Sequence, residues 1–191
     1  MKKCSALLLF LLGTTAMAAG PGLGCKTTGG EVETLLCSDD ALAAKDELLS
    51  EVFSASLMSM EPAQRKHVRA SQQRWLQGRS VCLNDPVPKD CLMRRYDERI
   101  SMLQIEGRLV KASALARYDC GAAGLLEISF YNNTPVPAAV LLRDSPQREI
   151  ALLQVSASGA KYVGRTFAFW SKNDSGLFSD AGKPDVQCEK R

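Results

Sequence analysis

Histidine is nearly missing from this 191-residue chain: His67 is the only one. The side chain most often used as a general base therefore occurs once, and it stands among Arg65, Lys66 and Arg69. That is the composition of a solvated basic face rather than of a catalytic site. GxSxG, HExxH and the phosphate-binding P-loop are absent. Asp and Glu are scattered, with no pair assignable to glycosidase chemistry. The sequence thus offers no enzyme. CxxC is also absent, so the cysteines do not spell a zinc site, and neither metal nor cofactor is expected. No run of basic residues stands out, which argues against nucleic acid. No apolar run is long enough to span a bilayer.

What is present begins with an export signal. Lys2 and Lys3 form a charged start, residues 6–12 a short apolar run, and Ala16-Met17-Ala18 an A-x-A cleavage site. Residues 1–18 are therefore expected to be removed. Gly22-Leu23-Gly24 is a poor lipobox for lipid attachment at Cys25, so the mature chain is expected to be soluble, periplasmic or secreted. Without the two signal lysines the formal charge falls from +3 to +1, with 22 basic against 21 acidic residues.

Cysteine is the second positive signal. Cys4 leaves with the signal and six remain: Cys25, Cys37, Cys82, Cys91, Cys120 and Cys188. An even count in a secreted chain implies disulfides. The first four admit three connectivities, of which Cys25–Cys37 with Cys82–Cys91 is one simple choice. Cys120 and Cys188 flank the second half of the chain and are placed to bridge it.

Periodicity divides the chain in two. Leu42, Leu49, Val52, Phe53 and Leu57 recur at helical spacing after Ser38 or Asp39, either of which can cap the helix. Pro62 suits the first turn of a second helix, which runs to Gly78 or Arg79 and buries Val68, Trp75 and Leu76. A third begins near Asp90 with Leu92, Tyr96, Ile100 and Leu103 on one face. A short helical turn is expected over residues 31–37. Residues 107–115 link this small three-helix bundle to a different pattern. From residue 116 to 191, short apolar strands alternate with Gly-, Asn- and Pro-rich turns, as in a small closed antiparallel β-barrel. The fold class is α+β in two domains, a disulfide-stapled helical bundle before a barrel.

Aromatics are scarce, at 6 %, so a stretch rich in them stands out. Residues 160–163 and 166–170 read as a hairpin turning at Gly164-Arg165. Folding there sets Ser158 nearly opposite Lys172, a hydroxyl and an ammonium at one open end. No His or carboxylate within the hairpin activates the serine, so the pair reads as donors for something anionic.

The segment Ser158-Gly159-x-x-Tyr162 followed by Phe169-Trp170-x-Lys172 resembles the signature of the MliC/PliC family of bacterial inhibitors of c-type lysozyme. The similarity runs from about Tyr118 to Cys188. It implies a barrel whose Ser158 and Lys172 enter the lysozyme cleft. Gly159 would allow close backbone approach, and Tyr162 and Trp170 would stiffen the loop or touch the cleft rim. Asn173 stands where the family often has glycine; asparagine tolerates left-handed backbone better than most residues.

The run Gln72, Trp75, Leu76, Arg79 and Cys82, followed by Cys91, Tyr96, Arg99, Ile100 and Leu103, resembles the LprI-type domain over residues 25–106. Phe53 stands where that family commonly has tyrosine. Gln72, Trp75 and Arg79 read as structural, with Trp75 in the core and Arg79 paired to a helix end or carboxylate. Together the resemblances imply a secreted inhibitor with c-type lysozyme as partner. The alternative is a non-inhibitory envelope module recognising another glycosidase or a cell-wall component. Oligomeric state and the helical half's role are not legible at this level.

Overall fold

A computed structural model describes residues 29–142 and 149–191. The expected signal segment and Cys25 lie outside the described residues. Four α-helices come first: α1 (Glu31–Ser38), α2 (Asp40–Met58), α3 (Pro62–Gly78) and α4 (Pro88–Glu106). The three long helices match the periodic segments. The expected turn before them is a full helix, so the bundle has four members. No helix among the described residues is long and apolar enough to cross a membrane.

Local chemistry sets the helix ends. Asp39 precedes α2, and its Oδ1 accepts from the amides of Ala41 (3.0 Å) and Leu42 (3.1 Å). The Lys89 ammonium also pairs with Asp39 and, with those amides, holds its carboxyl below the usual range. Pro62 and Pro88 occupy first-turn positions, where the missing N–H costs nothing. Between α3 and α4 lies a 3₁₀ segment, Arg79–Asn84, which the Cys82–Cys91 disulfide ties to α4. Cys37 is also disulfide-bonded.

Leu42, Leu49, Phe53 and Leu57 of α2 meet Val68 of α3 and Leu92, Tyr96, Ile100 and Leu103 of α4 in the helical core. A polar network runs through it. Arg79 is 3 % exposed and donates to the Tyr96 hydroxyl (2.5 Å) and to Glu33 (2.9 Å). Tyr96 in turn donates to Asp46 (2.7 Å), and burial pushes its own pKa up. Trp75 stacks edge-on against Tyr96 at 5.0 Å and under the Arg79 guanidinium at 5.6 Å. It is only partly buried, packed against the core and not within it. Gln72 accepts from buried Arg99 at 2.8 Å. Each charge is thus hydrogen-bonded, the condition under which burial is tolerated.

Eight antiparallel strands then close into a barrel in sequence order: β1 (Ala114–Asp119), β2 (Leu125–Tyr131), β3 (Ala138–Leu142), β4 (Glu149–Gln154), β5 (Ala160–Val163), β6 (Phe167–Lys172), β7 (Ser175–Asp180) and β8 (Val186–Lys190). Pairing of Tyr118 with Lys190 and Asp119 with Glu189 completes the circle. Tyr118, Ile128, Leu141, Ala151, Tyr162, Phe169 and Phe178 alternate inward and fill it. The Cys120–Cys188 disulfide spans the closing strands. β1 begins at Ala114, two residues before the sequence pattern shows it.

The barrel's outer wall is also covered in one place. Ala138 and Val140 of β3 are buried on the face opposite the core, with Tyr131, Leu142, Ile150 and Leu152 around them. Ile105 at the end of α4, 3 % exposed, and Val110 beyond it pack on this patch. The Ser101 hydroxyl accepts from the Val136 amide at 2.8 Å. The helices and the barrel therefore share an apolar seam.

Candidate functional site

β5 and β6 form the hairpin read from the sequence. Tyr162 faces Phe169, Lys161 faces Trp170 and Ala160 faces Ser171. Extending that register one step sets Gly159 against Lys172, and Ser158 lies just beyond. At the other end of the hairpin, the Glu149 carboxylate receives both the amide and the hydroxyl of Thr166.

Three contacts shape the loop that carries Ser158. The Trp170 indole N–H donates to the Ser158 carbonyl at 2.7 Å. The Ser156 hydroxyl reaches the carbonyls of Ser158 (3.3 Å) and Gly159 (3.0 Å). Gly159 has φ +67°, and a Cβ there would lie 2.4 Å from the Ser171 carbonyl oxygen and 3.3 Å from Lys172 Cβ. No side chain fits that space, so glycine is what allows the loop to lie on β6. The loop is held to the strand that bears Lys172.

Lys172 and Ser158 are both exposed. Lys172 pairs with Ser175 across a two-residue turn, Asn173-Asp174, in which Asn173 takes φ +53°. The asparagine thus adopts the left-handed conformation that glycine would favour. Ser175 donates to the Lys172 carbonyl at 3.1 Å and steadies that turn.

The remaining expected residues separate. Trp170 is 36 % exposed on the outer surface, with its nitrogen committed to the loop. Tyr162 points inward, is 5 % exposed and packs its ring 5.4 Å from Phe130. It supports the hairpin from within and is not available to a partner. Ser156 belongs to the loop by its two hydrogen bonds but does not stand out in the sequence. Its signal is the common habit of serine to bond backbone two or three residues away.

Residues 118–187, which include this whole loop end, match the family model described as membrane-bound lysozyme-inhibitor of c-type lysozyme (MliC). Residues 25–103 match that of lysozyme inhibitor LprI. The two matches lie one after the other along the chain. Both resemblances drawn from the sequence are borne out, in the same order. The chain is 29 % identical over 158 residues to lipoprotein LprI of Mycobacterium tuberculosis and of Mycobacterium bovis, covering 82 % of this chain and 78 % of each relative. It is 34 % identical over 64 residues to the membrane-bound lysozyme inhibitor of C-type lysozyme of Cupriavidus necator, covering 34 % of this chain and 50 % of that one. In the LprI-like helices, Gln72, Trp75 and Arg79 are engaged with Arg99, Tyr96, Glu33 and Asp46, so these motif residues serve packing. The exposed donors lie at the loop end of the MliC-like barrel.

Proposed function

We propose that this protein is an exported inhibitor of c-type lysozyme, acting outside the cytoplasm by placing the loop end of its barrel in the lysozyme cleft. The observation that carries this reading is the locked loop: the Trp170–Ser158 bond and the close packing of Gly159 hold the Ser158 loop against the strand that bears Lys172 before any partner arrives. Preorganisation lowers the ordering cost of binding.

The chemistry is complementary. A c-type lysozyme cuts peptidoglycan with a protonated acid and an ionised carboxylate. The Lys172 ammonium donates to the ionised carboxylate, and exclusion of water strengthens that contact. Ser158 donates or accepts beside it. Occupation of the cleft makes inhibition competitive with peptidoglycan, and the protein itself performs no chemistry. The names of two relatives, a lipoprotein and a membrane-bound inhibitor, support a place at the cell envelope.

The test is a titration of the oxidised mature chain against a c-type lysozyme clearing a bacterial cell suspension. Lys172→Ala is expected to lose roughly 2–5 kcal/mol of binding, at least a thirtyfold rise in inhibition constant, because a lysozyme carboxylate is left buried and unpaired. Ser158→Ala should lose less. An unchanged constant for Lys172→Ala would reject the mechanism.

A further inference from the structure

We infer that Val155 is the apolar contact that accompanies Lys172 in the lysozyme cleft; this rests on the inhibitor reading above. Ala151, Leu153 and Val155 form the inward-facing row of β4 and its continuation. Ala151 is fully buried, Leu153 is partly buried against the barrel core, and Val155 is 104 % exposed. The row therefore runs out of the barrel mouth and ends in a branched apolar side chain in water. Nothing among the described residues covers it, and it is no part of the barrel's core cluster.

Single exposed valines are ordinary. The position of this one is not. Val155 precedes Ser156, whose hydroxyl closes the loop onto Ser158 and Gly159. Three residues of chain place its Cα within about 11 Å of that of Ser158. A protein interface of usual size covers about 800 Å² on each partner, a disc of roughly 16 Å radius. An interface of that size centred on Ser158 and Lys172 reaches Val155. The hydrogen bonds of its neighbour Ser156 fix the backbone that follows it, which lowers the ordering cost of presenting it.

The lysozyme cleft has a matching surface. A carboxyl that stays protonated near neutral pH does so because apolar groups surround it. A loop bearing an ammonium for the ionised carboxylate and a valine for the apolar wall addresses both halves of that site. Val155 then serves specificity, favouring a cleft with an apolar wall over an anionic surface in general.

Val155→Ser and Lys172→Ala are compared with the wild type for inhibition constant against a c-type lysozyme and for urea midpoint. Val155→Ser is expected to raise the inhibition constant roughly five- to thirtyfold, with the midpoint unmoved. If Lys172→Ala weakens inhibition and Val155→Ser stays within twofold, Val155 is no contact and the inference falls while the loop mechanism stands. If Val155→Ser weakens inhibition only alongside a lowered midpoint, its role is in folding and the inference again falls. If Val155→Ser weakens inhibition and Lys172→Ala does not, the valine contact stands and the lysine mechanism falls. A wild type that does not inhibit overturns both.

Discussion

Gly159→Ala isolates what the close packing of the loop contributes. Two costs add at this position. Alanine at φ +67° incurs about 1–2 kcal/mol of backbone strain. Its methyl would also stand 2.4 Å from the Ser171 carbonyl and 3.1 Å from the Trp170 indole nitrogen. The first neighbour is backbone and cannot swing aside, so the loop must lift off β6 and the Trp170–Ser158 bond must lengthen or break. Loss of that bond adds about 0.5–1.5 kcal/mol. Gly182, in the connection between β7 and β8, provides a matched control. Its φ is +79°, and a Cβ there meets nothing within 4 Å. Gly182→Ala is expected to lose about 1–2 kcal/mol and to inhibit lysozyme normally. Gly159→Ala is expected to lose about 1 kcal/mol more and to inhibit at least tenfold less well, because the Ser158 loop no longer lies against the strand that bears Lys172. Urea denaturation and lysozyme titration of the two variants, side by side, measure both quantities. Equal stabilities with undiminished inhibition by Gly159→Ala would refute the packing argument.

Other perturbations address the support behind the loop. Tyr96→Phe removes the hydroxyl bonded to both Arg79 and Asp46, leaving only their direct 3.6 Å ion pair, and should destabilise the fold by about 1–3 kcal/mol in urea, since buried partners lose a hydrogen bond; a neutral effect would contradict the network. Removing the Cys120–Cys188 bridge, which spans 68 residues, with paired serines should lower stability by roughly 4 kcal/mol on the chain-entropy model, measured by thermal or urea unfolding. Glu106 gives a pH test. Burial raises its carboxyl pKa against the lowering pull of Arg99 and His67, and its Oε2 has no hydrogen-bond partner. A raised folded pKa contributes stability below the ordinary carboxylate pKa and loses it as pH rises through the folded value. Glu106→Gln should therefore be more stable than wild type at neutral pH, with the gap closing in acid. Taking the difference between the two proteins cancels the acid losses from Asp39 and Asp119, whose pKa values are lowered. A variant less stable at neutral pH would refute the assignment.

The hairpin was legible because its information is local. Alternation of Tyr162, Phe167 and Phe169 marks the inward face, and turn residues bound each strand. The Asp39 cap and the proline start of α3 were legible for the same reason, whereas α4 starts at Pro88, two residues before the expected Asp90. The partners of Arg79 were not. Glu33 and Asp46 precede it by tens of residues, and only the packed helices bring them together. The seam between helices and barrel was missed, though a signal existed. Residues 138–142 read Ala-Ala-Val-Leu-Leu without alternation, the pattern of a strand covered on both faces, and β3 is such a strand. What no pattern contains is the Trp170–Ser158 bond, which depends on a side chain reaching from one strand over the end of another.

Closure of the barrel limits how any partner can be recognised. An open sheet offers a row of unpaired N–H and C=O groups, and a bound peptide can extend it as an added strand. Here every strand has neighbours on both sides, so that main-chain route is shut. Recognition must pass through side chains at the ends or on the walls. Target preference can then drift by substitution at a few loop positions while the hydrogen-bonded cylinder stays unchanged.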